Sequence, residues 1–359
     1  NYEECIKILS NLSNDKTNQL LYKLKTIDPT CGSGEFLLNI FELKYNIMKK
    51  TNKIDDNNIL KICDTIHGND IDEESTDISK IRLYFCISNR LKNKKSFEKL
   101  AKILKNNFYN YDFISESNKI NNMFDLIIGN PPYVEYARYS LKEKLVNNYG
   151  NIYADVIRNS IDLLNDKGVL GYIIPLSYTA TTRMSKIRDY VKENTRKQFI
   201  LNFADRPDCL FDGVHQKLNI LIAQKGNTKN KIYTSNYKHW YNEERKKLLN
   251  GREVRLSKYN FEQFIPKIGN DIEESIFDKI YAKNKNNIYE IQKISGKELY
   301  LNMRACFWIK AFTFNPGSNE YKSFKYSTDI YNFVLCLLNS SLFWLYWTII
   351  SDCWHITTK

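Results

Sequence analysis

Residues 124–136, Phe124-Asp125-Leu126-Ile127-Ile128-Gly129-Asn130-Pro131-Pro132-Tyr133-Val134-Glu135-Tyr136, decide how the chain is read. Asp125 to Gly129 has the pattern of a buried strand. It runs straight into one amide, two prolines and an aromatic ring. The prolines remove two backbone donors and fix φ, so nothing regular continues through them. The stretch predicts a stiff turn presenting Asn130 and Tyr133 at a strand's carboxyl end, the edge where open α/β sheets bind ligands.

Three earlier strand ends carry polar residues too. Asp28-Pro29-Thr30-Cys31-Gly32-Ser33-Gly34 falls at a strand-to-helix turn. Gly32 and Gly34 let the backbone pass close to a ligand, and the next helix offers free N–H groups. The spacing is neither the dinucleotide fingerprint nor a P-loop. Asp70 ends the second strand, where a carboxylate can accept both hydroxyls of a ribose. Asp112-Phe113 ends the third; Asp112 suits an exocyclic amine, and Phe113 suits stacking on a purine. Taken alone each is commonplace, and an Asp at such a place is often only a helix cap. In order, before Asn-Pro-Pro-Tyr, they describe a site for an adenosine with a charged tail.

Around these motifs strand and helix alternate. Helical spacing is expected over 1–24, 34–50, 75–91, 151–168 (stopped by Gly168) and 183–194. Strands are expected at 23–31, 65–72, 108–115, 123–130, 169–178, 198–205 and 217–226. That order implies an α/β domain with a largely parallel sheet. Residues 227–260 hold nine Lys/Arg against three Glu, with aromatics interleaved, the composition of a linker or basic arm. Residues 261–359 hold four of the five tryptophans and are expected to form a second domain.

With 359 residues, 43 % of them hydrophobic, the chain has material for a sizeable core and two or three domains. A net charge of +12 suits a polyanionic partner, though a Lys- and Asn-rich proteome gives the same excess. Eight cysteines without a Cys-x-x-Cys, and four scattered histidines, indicate reduced thiols, no metal site and a cytoplasmic setting. No signal peptide is visible. The chain begins at Asn1 rather than Met, as a piece of a longer protein does. Tyr331 to Ile350 is uncharged and long enough to span a bilayer. Asn339-Ser340-Ser341 at its centre favours buried core helices over a membrane span.

The motifs, in this order, resemble the adenine-N6 DNA methyltransferases that use S-adenosylmethionine, nearest to the gamma type with a TaqI-like C-terminal specificity domain. DPTCGSGEFL (28–37) is similar to their cofactor motif and NPPY (130–133) to their catalytic motif. NIYADVIRNSIDLLNDKGVLGYIIPLSY (151–178) is similar to the next two motifs. LFDGVHQKLNILIAQK (210–225) is similar to the late motif whose aromatic ring faces the flipped base, and LCLLNSSLFWLYW (335–347) to the Leu-Asn-Ser helix of the specificity domain. The resemblance implies a Rossmann-like domain with a seven-stranded sheet over 1–226, a basic linker over 227–260 and an α+β DNA-recognition domain, incomplete, over 261–359. It assigns cofactor binding to Asp28, Thr30, Cys31, Gly32, Gly34, Asp70, Ile71, Asp112, Phe113 and Asn130. Catalysis falls to Asn130, Pro131, Pro132 and Tyr133, and the target base to Tyr133 and Phe211. Lys246, Lys247, Arg252 and Arg255 are candidates for the DNA backbone. Double-stranded DNA is the implied partner, with a restriction endonuclease as a partner or as a fused domain outside this chain. No persuasive Asp…Glu-x-Lys nuclease pattern is found here, and none is assigned. The family's Tyr-Thr-Pro element before Asp28 has no counterpart.

The chemistry agrees. Adenine N6 is a poor nucleophile because its lone pair is delocalised. An amide oxygen and a proline carbonyl accepting both N6–H groups let it pyramidalise, which is stabilisation by fixed dipoles. The motif by itself specifies a planar nitrogen. RNA and protein-glutamine methyltransferases are the alternatives, together with a catalytically silent DNA-binding component.

Overall fold

A computed structural model of the chain describes residues 22–51, 54–139, 147–250, 252–283, 288–305 and 308–357. The helix expected over 1–24 falls almost wholly outside them. The chain forms two compact units. The first comprises Asn1–Ile174, Lys186–Gln198 and Ile220–Lys231; the second comprises Pro175–Ser185, Phe199–Asn219 and Ile232–Lys359.

The first unit is the expected α/β arrangement. Strands β1 (Thr26–Asp28), β2 (Ile66–Asn69), β3 (Phe108–Tyr109), β4 (Phe124–Gly129), β5 (Leu164–Pro175), β6 (Thr195–Phe203) and β7 (Leu218–Lys225) run in the order β3-β2-β1-β4-β5-β7-β6. The pairs β1–β2, β1–β4, β2–β3 and β4–β5 are parallel. Parallel neighbours need crossovers, and helices supply them: α1 (Glu35–Thr51) and α2 (Asp56–Asp64) join β1 to β2, while α3 (Glu73–Ser88) and α4 (Lys94–Asn107) join β2 to β3. Their apolar faces meet in one core that includes Leu37, Phe41, Ile62, Leu83, Leu100 and Phe108. After β3 come the short α5 (Phe113–Glu116) and, beyond β4, α6 (Ile152–Asp162); α7 (Ser177–Ala180) and α8 (Ser185–Asn194) follow β5 in the chain. Strand order therefore brings the carboxyl ends of β1, β2, β3 and β4 to one edge.

Two boundaries differ from expectation. Helix α6 stops at Asp162, not at Gly168, and β5 begins at Leu164. Leu164 pairs with Phe124 and Val169 with Leu126, so Asn165 to Gly168 bulge out of a continuing strand. The third expected strand pairs only through Phe108 and Tyr109, because Asp112 caps α5 immediately afterwards.

In the second unit, residues 227–260 are not a free arm. Strand β8 (Lys231–Lys238) pairs antiparallel with β9 (Arg255–Leu256). Tyr233 stacks on Phe199 with centroids 4.8 Å apart, and Trp240 is fully buried. The aromatics among the basic residues pack the protein, which is why a composition suited to a linker folds. Farther on, α9 (Asp271–Lys283) precedes an antiparallel sheet of order β11-β10-β12, made of β10 (Lys297–Asn302), β11 (Ala311–Phe312) and β12 (Tyr321–Tyr326).

The uncharged stretch becomes α10 (Thr328–Leu338) and α11 (Ser341–Ile350), bent by 66°. Asn339 causes the break by taking backbone partners outside the helix. Its amide donates to Ala311 O at 3.0 Å, and its oxygen accepts from Ala311 N at 3.1 Å. Ser340 then caps α11 through Phe343 N. Among the described residues no single helix is long and apolar enough to cross a membrane.

Candidate active site

The turn after β1 is built around Asp28, which is buried. Its Oδ1 accepts from Thr30 N at 3.1 Å. Burial pushes its carboxyl up to about 8, the Thr30 amide opposes this, and nearby Asp70 adds to the rise. The carboxylate lies so close to the end of β4 that a Cβ on Gly129 would stand 2.5 Å from Oδ1. Only glycine fits there. Gly32 and Gly34 both have left-handed φ, +51° and +81°, and a Cβ on Gly34 would meet Ser79 Oγ at 2.7 Å. Burial raises the Cys31 thiol to about 12, so it stays a neutral packing group. The Thr30 hydroxyl is buried with no hydrogen-bond partner.

Asp70, after β2, is half-buried. One oxygen accepts from Gly32 N at 2.9 Å and the other from Asp72 N at 3.1 Å. The acidic group thus ties the glycine turn to the neighbouring strand end. Ile71 beside it is exposed. Asp112 is buried and caps α5 through Ile114 N at 3.2 Å. It also accepts from Ser115 Oγ at 2.6 Å and from Tyr139 Oη at 2.7 Å. Phe113 is buried.

One residue that motif reading missed joins these turns. Asn69 is wholly buried at the end of β2. Its amide donates to Pro29 O at 3.0 Å and Tyr111 O at 3.1 Å, and its oxygen accepts from Tyr111 N at 3.0 Å. It fastens the ends of β1 and β3 to β2. The available signal was a polar residue in a strand of otherwise buried positions, which has to find backbone partners.

Asn130 and Tyr133 follow β4, with Pro131 buried between them. The Tyr133 hydroxyl donates to Asn130 Oδ1 and lies 3.0 Å from Ile173 O on β5. Tyr153 meets the Tyr133 ring edge-on, with centroids 6.4 Å apart. Burial, then Tyr153, raises the Tyr133 hydroxyl well above its ordinary value, so it is a neutral donor. The chain beyond folds back: Ile152 N donates to Val134 O at 3.0 Å, and Tyr136 N to Gly150 O at 3.2 Å. Buried Asp155 of α6 accepts from Tyr136 Oη at 2.6 Å. These bonds hold the Asn-Pro-Pro-Tyr turn from behind, and the sequence motifs did not reveal them.

The remaining candidates lie in the second unit. Phe211 is half-buried in a tight turn whose Val214 N donates to Phe211 O at 3.0 Å. Lys246 and Lys247 are exposed. Arg252 and Arg255, expected to meet DNA phosphates, are engaged by the protein. Arg252 donates to Ser235 Oγ at 2.7 Å and Asn236 O at 3.1 Å, with its guanidinium 5.3 Å from the Phe203 ring. Arg255 pairs with Glu274 at 2.7 Å and with Asp271. Among the described residues no cluster could hold a metal ion.

Residues 64–209 match the model of a family described as the Eco57I restriction-modification methylase. The chain is 24 % identical over 306 residues to the type II restriction enzyme and methyltransferase RM.Eco57I of Escherichia coli, across 71 % of this chain and 30 % of that protein. It is 25 % identical over 228 residues to the type II methyltransferase M.VspI of Vibrio sp. (strain 343), across 58 % of this chain and 47 % of that one. To the type II methyltransferase M.BanIII of Aneurinibacillus aneurinilyticus it is 30 % identical over 199 residues, across 53 % and 31 %. The chain thus spans between 30 % and 47 % of the length of these relatives. In fold it is similar to the DrdV–DNA complex (TM-score 0.54, 14 % identity, 85 % of this chain and 34 % of that one). It is similar as well to a nuclease-deletion mutant of the Type ISP restriction-modification enzyme LlaGI with a DNA substrate mimic (0.52, 15 %, 83 % and 28 %). By sequence the chain is similar, over part of its length, to restriction-modification methylases.

Proposed function

We propose that this chain transfers a methyl group from S-adenosylmethionine to N6 of an adenine flipped out of duplex DNA, as the modification part of a restriction-modification system. The observation that carries this is the turn after β4. Asn130 stands at a strand's carboxyl end with its oxygen fixed by the Tyr133 hydroxyl, beside the carboxylate-lined ends of β1 and β2.

The residues present suit the cofactor. Two neighbouring carboxyls, Asp28 and Asp70, each raise the cost of a second negative charge, and a cation relieves it. The Thr30 hydroxyl has no partner among the described residues. When bound, S-adenosylmethionine supplies an electrophilic methyl on a cationic sulfur. Asp28 with Thr30 faces its charged tail, Asp70 takes ribose hydroxyls, and Asp112 with Phe113 takes the adenine. Asn130 Oδ1 has a second lone pair for one N6–H of the target base, and the Pro131 carbonyl takes the other. The Tyr133 ring covers the base. No base is needed before attack, because the amine becomes acidic only after methylation. The target must leave the stack to reach a strand edge. Phe211 is our candidate for a second contact, and Lys246 and Lys247 for the DNA backbone. Residues 261–359 are assigned to target recognition in the manner of the TaqI-like domain, with an endonuclease outside this chain.

Incubating the chain with plasmid DNA and labelled cofactor, then sequencing for N6-methyladenine, tests the assignment. Label at adenine N6 within one recurrent sequence is expected. Label appearing only in RNA or protein, or none at all, would overturn it.

A further inference from the structure

We propose that Tyr139 positions the cofactor's adenine by fixing which oxygen of Asp112 accepts its amine, a role that rests on Asp112 meeting that amine. A carboxylate offers about four acceptor positions, two on each oxygen. Both positions on Asp112 Oδ1 are filled, by Ile114 N at 3.2 Å and Tyr139 Oη at 2.7 Å. Ser115 Oγ takes one position on Oδ2, at 2.6 Å. Among the described residues a single position is left, on Oδ2. An exocyclic amine therefore meets one acceptor, at one orientation.

The source of the Tyr139 hydroxyl gives this its interest. Ile114 and Ser115 belong to α5, the same turn as Asp112. Tyr139 comes from the segment that follows the Asn-Pro-Pro-Tyr turn, placed by Tyr139 N donating to Tyr136 O at 3.1 Å. Tyr136 is itself held by Asp155. Asn159 of the same helix donates to Phe113 O at 2.8 Å and Ile114 O at 2.9 Å. Helix α6 thus supports both partners of the Tyr139–Asp112 bond. Without that bond, Oδ1 has an open position as well as Oδ2, and the carboxylate is held only by Ile114 N and Ser115 Oγ of its own turn. The amine then loses a fixed acceptor, while the rest of the ligand keeps its contacts.

Calorimetry on the whole chain, with S-adenosylhomocysteine and its 6-oxo counterpart S-inosylhomocysteine, tests this. Wild type is expected to prefer the amine-bearing ligand. Tyr139→Phe is expected to reduce that preference about fivefold, through weaker S-adenosylhomocysteine binding alone. In an Asp112→Ala background the same change should have no further effect on the ratio, which checks the route independently. Equal weakening for both ligands, or an unchanged preference, would overturn the role of Tyr139. No preference in wild type would instead remove Asp112 as the adenine acceptor, and the proposal with it.

Discussion

The strand-end turns of the first unit and the basic segment of the second were both marked in the sequence by charge, and the structure treats them in opposite ways. In the segment 227–260 five of the nine basic residues find partners within the protein. Arg245 pairs with Asp208 and Asp212, Arg255 with Glu274 and Asp271, Lys238 with Glu244, and Lys258 with Asp278. Arg252 is taken up by hydrogen bonds. At the strand ends, Asp28 is buried beside Asp70 with its carboxyl pushed up to about 8. A cation paired inside the fold braces the fold; a carboxyl that burial holds protonated at a binding edge takes up its charge when a ligand of opposite sign arrives.

The comparison is tested most severely at Asn130. Asn130→Ala is expected to lower methyl transfer by about 10²–10³-fold or more, the scale for removing one fixed polar group from a transition state. Cofactor affinity should stay within a few-fold by calorimetry. Near-normal turnover would remove Asn130 from the chemistry. Next in size is Asp70→Ala. Lost bonds between a carboxylate and ribose hydroxyls weaken cofactor binding by about 10–100-fold, and unchanged affinity would make Asp70 a brace for Gly32 alone.

The basic segment should respond through stability instead. Arg252→Ala is expected to cost about 1–3 kcal/mol in a denaturant melt, because Ser235 and Asn236 lose buried partners. An unchanged melt with weaker DNA binding would restore Arg252 to the DNA interface. Lys246→Ala and Lys247→Ala should leave the melt alone. Each should lower the slope of log affinity for duplex DNA against log salt by about 1. An unaltered slope would make them ordinary solvated lysines.

The contrast also explains what the sequence disclosed. The alternation of strands and helices and the edge with Asp28, Asp70, Asp112 and Asn130 were legible because each motif joins a strand-like run to residues that end it. The bulge at Asn165–Gly168 was not legible, since Asn-Asp-Lys-Gly reads locally as a helix stop, and only the pairing with Phe124 and Leu126 shows a strand. The intramolecular partners of Arg252 and Arg255 were not legible because they lie 16 to 19 residues away or farther. Asn69, Tyr139 and Asp155 act through their side chains on partners 19 to 42 residues distant, which no local pattern encodes.

The carboxyl of Asp28 gives the most direct test of the central claim, that the strand-end charges await a cation. Its value of about 8 in the folded chain lies above the usual 3.8. Its contribution to stability is therefore full below pH 3.8 and is lost as pH rises towards 8. At pH 7 the group is largely protonated, and a cationic ligand beside it favours the carboxylate. Calorimetric titration with S-adenosylmethionine at pH 7, in two buffers of different ionisation enthalpy, reads the protons exchanged on binding. The account predicts release of up to about one proton per cofactor bound, and loss of that release in Asp28→Asn. Binding without proton release, or the same release from Asp28→Asn, would contradict it.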